Sequence, residues 1–264
     1  MSSTASQVAV SNVTNLPQEQ AERELRIQLA AAYRLVDHFG WTELIYGHLT
    51  VRVPGPDKHF LINPYGLNYD EVTASNLVKI DVDGNVIGES NYPVSRAGFV
   101  IHSAIHMADE TANHCVMHTH TRAGMAIAAI KEGLLPVSMT ATAFAGDVAY
   151  HEYEGPSLDL DERERLVKSL GDKRAMILKN HGLLVVGRTV PETFLRLYRL
   201  ERACQIQLDA AAAGTLNVIP EKLARRSGAD MDRFSELESE AGVGAVEFAA
   251  LMRKLDHIDA SYRD

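Results

Sequence analysis

Cys115-Val116-Met117-His118-Thr119-His120 is an apolar run that enters a polar turn carrying two histidines two positions apart. Short buried strands have this composition. In an extended chain the side chains of residues i and i+2 leave the same face, about 6–7 Å apart at their origins, so the two imidazoles can converge on one cation. Sixty-one residues after His120, His181 lies in Asn180-His181-Gly182, a turn-like tripeptide between the β-rich runs Ile177-Leu178 and Leu183-Leu184-Val185-Val186. A histidine placed where a strand bends can supply a third nitrogen. Three neutral imidazoles with an open position form the ligand set of a catalytic rather than a structural metal site. Taken singly, each histidine reads equally well as a hydrogen-bonded strand-end residue; the combination carries the argument.

Length and composition narrow the classes of function. A chain of 264 residues and 29.0 kDa can bury one large core, and 46% hydrophobic with 23% charged residues is an ordinary globular composition. The net charge of −9 weighs against nucleic-acid or anionic-membrane binding, because holding phosphates takes clustered Lys and Arg. Cys115 and Cys204 are too few for a disulfide framework and fit buried thiols in a reducing cytoplasm. The first residues show no basic start followed by an apolar block, and no window approaches 18 apolar residues, so neither export nor membrane insertion is expected.

Residues 1–16 are polar and aperiodic, and are expected to form a mobile arm. Apolar positions Leu25, Leu29, Tyr33, Val36 and Phe39 predict a helix from Pro17 that stops at Gly40. Strands are expected over Tyr46–Val53 and Phe60–Ile62, with a hairpin pairing Val78–Val82 to Val86 and Ile87 across Asp83-Gly84. Ser95 caps a helix to Met107 on which Gly98, His102 and His106 share one side; Thr121 opens another that ends near Gly133. Asp159-Leu160-Asp161-Glu162 resembles a capping box for a helix to Leu170, and Thr189-Val190-Pro191-Glu192 opens one that reaches Ala213. Residues 17–214 are expected to form the main domain, and 215–264 a helical tail that serves as an oligomer contact or a lid over a neighbour. Interspersed strands and helices give an α/β or α+β chain with one sheet.

His118-Thr119-His120-Thr121 followed by Asn180-His181-Gly182 resembles the class II aldolase/adducin family. The resemblance covers roughly residues 23 to 214 and includes Tyr46-Gly47-His48-Leu49-Thr50-Val51-Arg52, Leu61-Ile62-Asn63-Pro64-Tyr65-Gly66, Arg96-Ala97-Gly98-Phe99 and Gly146-Asp147-Val148-Ala149-Tyr150-His151. Ala97-Gly98-Phe99 and Val148-Ala149-Tyr150-His151 look more like the adducin head than the sugar-phosphate aldolases. The resemblance implies a three-layer α/β/α sandwich around a mostly antiparallel mixed sheet. It also implies one divalent ion on His118, His120 and His181, a small-molecule substrate, and a homotetramer with sites between subunits. Zinc is the expected ion, with Fe, Mn, Co and Ni as alternatives that imidazole ligation also suits.

The chain departs from the resembled aldolases where they keep a glutamate that moves the proton and serves as a fourth ligand: the matching position is Gly98. Positioned proton transfer is commonly worth ~10²–10⁴ in rate, so an unchanged aldolase mechanism is not expected. The aldolases' phosphate-holding residues match Gly47-His48, Tyr65-Gly66 and Arg96-Ala97 here. Arg96 can grip a carboxylate through two parallel hydrogen bonds, which favours a planar or aromatic carboxylate over a sugar phosphate. His48, Asn63 and Gly66 complete the candidate substrate-binding set. Replacement proton carriers are His102, one turn beyond Gly98, and Tyr150, matched to the tyrosine that the aldolases bring from an adjacent subunit. Plainer readings exist: Arg96 as an exposed first-turn charge, His48 as a strand-end hydrogen-bonder, His102 as a buried packing residue. His106 and His114 read as a helix-surface residue and a pre-strand hydrogen-bonder. Three functions are compatible with these residues: a metal-dependent carbon–carbon lyase working by aldol cleavage or decarboxylation, a non-catalytic adducin-head-like oligomeric module, and a three-histidine non-haem iron oxygenase.

Overall fold

The computed structural model describes residue 13 and residues 16–155, 161–237 and 242–264, without the side chains of Arg96, Ala97, Val100, Glu236 and Leu237. Most of the expected N-terminal arm therefore lies outside the described residues. Seven strands, β1 (His48–Arg52), β2 (Phe60–Ile62), β3 (Val78–Ile80), β4 (Cys115–Thr119), β5 (Val148–His151), β6 (Ala175–Leu178) and β7 (Gly182–Gly187), form one sheet in the order β3-β2-β1-β4-β7-β6-β5. Neighbours run antiparallel except β5 and β6, which are parallel.

Alternation along the strands splits the core into two layers. Leu49, Val51, Cys115, Met117, Ile177, Leu183 and Val185 face α1 (Gln18–His38), α3 (Arg122–Ala128), α6 (Val190–Ala213) and α8 (Ala245–Ile258). Val116, Met176, Leu178, Leu184 and Val186 face α2 (Arg96–Ala108) and α5 (Glu162–Leu170). This is the expected three-layer α/β/α sandwich. Among the described residues the other α-helices are the short α4 (Met139–Thr142) and α7 (Glu221–Leu237). Beyond residue 214, Phe248, Met252, Leu255 and Tyr262 are buried in the same core as α1 and α6. Among the described residues no helix is long and apolar enough to cross a membrane.

Local differences from expectation have local causes. β1 begins at His48 rather than Tyr46 because Gly47, at φ +89°, breaks the extended run. Asp81 Oδ1 accepts from Asp83 N and Asn85 N, both at 2.9 Å, and the expected hairpin shrinks to an Ile80–Val86 bridge flanked by backbone bonds from Asp81 N to Asn85 O and from Ile87 N to Lys79 O. α3 stops at Ala128 because the chain tightens: Ile130 N donates to Ile127 O and Gly133 N to Ile130 O. Ser95, Thr121 and Thr189 cap their helices as expected, accepting from Gly98, Gly124 and Glu192 N. Asp161 precedes α5 without a side-chain capping bond, and Asp159 and Leu160 lie outside the described residues.

Candidate metal centre

His118 projects from β4 toward the α2/α5 side, and His120 follows one residue after the strand ends. His181 arrives from the bend between β6 and β7. Asn180 there adopts φ +57°, a left-handed conformation that asparagine tolerates better than most residues. Gly182 lets the bend close on β4: a Cβ at this position would stand 2.5 Å from Thr119 O and 3.2 Å from His120 Cδ2. The three imidazoles meet with ring centroids 4.6, 4.8 and 4.9 Å apart. Nε2 of His120 lies 2.8 Å from Nε2 of His118 and 3.0 Å from Nε2 of His181.

The outer nitrogens decide what these contacts are. His118 Nδ1 lies 2.8 Å from the Leu183 carbonyl oxygen, which only accepts, so Nδ1 carries the hydrogen. His120 Nδ1 lies 2.8 Å from Glu43 Oε2, a carboxylate that likewise accepts. In the neutral rings both Nε2 atoms are then bare, with their lone pairs aimed at each other. Burial, and secondarily the neighbouring imidazoles, hold His118 well below the usual histidine range and push His181 down to about 4. Nitrogen lone pairs gathered in this way suit a cation. Nitrogens bound tetrahedrally at about 2.0–2.1 Å stand about 3.3 Å apart; both spacings to His120 Nε2 fall within a few tenths of an ångström of that, and all three ligand nitrogens lie within 4.8 Å of one another.

His48, directly across from His118 in the β1–β4 pairing, stacks on it with ring centroids 6.1 Å apart. The ring also fills the space beside Gly98: a Cβ there would lie 2.6 Å from His48 Cδ2, 2.8 Å from Cγ and 2.9 Å from Nε2. The expectation that His102 reaches into this space is corrected, because His48 occupies it and His102 sits behind, its ring edge-on to His48 at 5.7 Å. His106 is buried rather than on the helix surface. Its Nδ1 donates to Asn113 O at 2.6 Å, leaving Nε2 to accept from Thr50 Oγ1 at 2.7 Å, and Thr50 accepts in turn from His102 Nδ1 at 2.7 Å. This run of bonds leaves His102 Nε2 bare; among the described residues it is buried without a hydrogen-bond partner, as is His48 Nδ1. Burial pushes His48 and His106 down to about 3.

The other candidates are more dispersed. Asn63 is buried, and its Oδ1 accepts from the Tyr33 hydroxyl at 2.9 Å. Among the described residues, nothing lies within 4 Å of where a Cβ of Gly66, at φ +108°, would be. Arg96 opens α2, but its side chain lies outside the described residues. Tyr150 is on β5, three strands from β4 and so about 14 Å across the sheet; its hydroxyl accepts from Leu134 N at 3.0 Å. It does not join the histidines of its own chain. Glu43, whose carboxylate meets His120, escaped sequence reasoning. The contact spans 77 residues, and no motif marks it.

Fold and site together define a class: an α/β/α protein with three imidazoles gathered where β4 ends and β7 begins. Residues 27–208 match the family model described as Class II Aldolase and Adducin N-terminal domain, and the chain belongs to that family. It is 48% identical to an aldolase II superfamily protein from Pseudomonas syringae, with TM-score 0.84 over 94% of this chain and 97% of that one. An L-fuculose 1-phosphate aldolase from Glaciozyma antarctica PI12 is 32% identical, with TM-score 0.82 over 97% of this chain and 98% of that one. Mouse alpha-adducin is 44% identical over 91% of this chain, which spans only 34% of adducin's length.

Proposed function

We propose that this protein is a carbon–carbon lyase acting on a small carbonyl or carboxylate compound, dependent on one divalent ion, zinc first, held by His118, His120 and His181. The pair of bare Nε2 atoms 2.8 Å apart, each with its Nδ1 hydrogen committed elsewhere, is the observation that carries the reading. An ion held there supplies Lewis-acid polarisation of a substrate oxygen. The chain's own residues bind and orient. Arg96, in the first turn of α2, holds the carboxylate; His48 forms the wall beside the histidines; Gly66 leaves its surroundings open to substrate. His102, whose Nδ1 is bonded to Thr50 and whose ring is edge-on to His48, is assigned to positioning that ring rather than to carrying the proton. Tyr150 is the proposed proton carrier and acts in a second copy's site, which requires an oligomer, a tetramer by family likeness.

Metal-loaded protein screened against 2-oxo and aromatic carboxylates for CO₂ release, aldehyde formation and O₂ uptake tests the proposal. Turnover that yields CO₂ or aldehyde, is abolished by chelation and is absent in His181→Ala supports it. Oxygen uptake coupled to substrate loss replaces it with an iron oxygenase. Metal binding with neither turnover nor ligand-induced stabilisation replaces it with a non-catalytic module of the adducin-head kind, the reading that the missing carboxylate at Gly98 favours.

A further inference from the structure

We propose that Glu43 is a positioning residue that orients His120 for the ion, an inference that rests on the metal-site reading above. His120 lies beyond the last ladder pair of β4, Thr119–Leu183, so the sheet does not fix its ring. His118 by contrast is fully buried and anchored on a backbone carbonyl. Among the described residues the partner of His120 Nδ1 is Glu43 Oε2, at 2.8 Å. A carboxylate accepts only, so this contact selects the Nδ1–H tautomer, aims the Nε2 lone pair at the other two imidazoles and raises its basicity as a ligand.

The segment that carries Glu43 is built to hold it. Tyr46 N donates to Glu43 O at 2.9 Å, closing a tight turn. Within the turn Leu44 adopts φ +51°, a left-handed conformation uncommon for a residue with a side chain, and it does so while 74% exposed, so packing of its own side chain does not explain the strain. On the other side Trp41 is buried and stacks on Phe39 at 4.8 Å, tying the turn to the core. The Glu43 side chain is itself 44% exposed. A hydrogen bond that open contributes little to folding, so the geometry points to orientation of His120.

Zinc titration against a competing chelator tests this, read by metal analysis after dialysis and by fluorescence of Trp41, the chain's single tryptophan. Glu43→Ala is expected to weaken zinc binding about 10–100-fold. Glu43→Gln should recover part of the loss, since an amide oxygen still accepts from Nδ1–H. The melting temperature of the metal-free protein should be the same in both variants as in wild type, and His120→Ala should lose more affinity than either. Unchanged affinity in Glu43→Ala, with His120→Ala impaired, overturns the inference and leaves the metal site standing. A metal-free melting temperature that falls in Glu43→Ala overturns it in favour of a structural role. Wild-type protein that binds no zinc overturns both.

Discussion

Gly98→Ala tests whether His48 closes the space beside α2. A methyl group at position 98 would lie 2.6 Å from His48 Cδ2, 2.8 Å from Cγ and 2.9 Å from Nε2. Carbon pairs are most favourable near 3.5–4.0 Å, so three atoms of the ring would overlap the new group by about 1 Å. The ring has little room to retreat: it is 6% exposed, its Nε2 lies 3.2 Å from Ser95 Oγ, and it sits against His102 and His118. Overpacking of this kind costs about 1–3 kcal/mol. It is offset in part by the ~0.5–1 kcal/mol gained when alanine replaces a helical glycine. Gly98→Ala alone should therefore destabilise by about 1–2 kcal/mol. In a His48→Ala background the clash is gone, and the same substitution should be neutral or stabilising, a coupling of about 2 kcal/mol. Urea unfolding of the four proteins at one concentration measures it. Gly98→Ala behaving identically in both backgrounds would refute the packing argument, and with it the explanation of why no carboxylate stands at this position.

Two further outcomes follow from buried groups. Burial pushes His106 down to about 3 and His114 to about 4 and holds His102 well below the ordinary value. Above about pH 6.5 these rings are neutral both folded and unfolded and contribute no pH dependence; below it the unfolded chain takes up protons that the folded one refuses, so stability falls. Each ring should add up to about 1.4 kcal/mol per pH unit to the slope, about 4 for these three, on top of what the likewise depressed His48, His118 and His181 add in the metal-free protein, before carboxylate protonation begins near pH 4.5. A melting temperature that stays flat between pH 6.5 and 5 would contradict this. Thr121 both caps α3, accepting from Gly124 N at 2.9 Å, and donates at 2.5 Å to Glu201, a buried carboxyl whose pKa is raised by burial. Thr121→Ala should cost about 2–4 kcal/mol by urea unfolding, and Thr121→Ser well under half of that.

The three-histidine cluster was legible because its signals are local. Two-residue spacing at a strand end, and an Asn-His-Gly bend between two β-rich runs, each translate directly into direction, and the fold supplied only their meeting. The capping residues Ser95, Thr121 and Thr189 were legible for the same reason. What stayed hidden depends on packing between elements far apart in the chain. Nothing in Gly47-His48-Leu49 says that this imidazole will take the volume beside Gly98, since that follows from the distance between β1 and α2. Glu43 is one acid among many until a left-handed leucine, which no propensity favours, turns its carboxylate onto His120. The overestimated hairpin at Asp83-Gly84 has the opposite cause: the turn signal was real, and two backbone bonds flank the bridge, but Asn85 N donates to the Asp81 side chain instead of to the backbone across the turn.

Crystals grown with zinc and measured on both sides of its absorption edge test the central claim most directly. The account expects one anomalous peak about 2.0–2.1 Å from each of His118, His120 and His181 Nε2, with Glu43 still bonded to His120 Nδ1 and at least one coordination position turned away from the protein. Rings that keep their present arrangement with no peak between them, in zinc well above micromolar concentration, would contradict it.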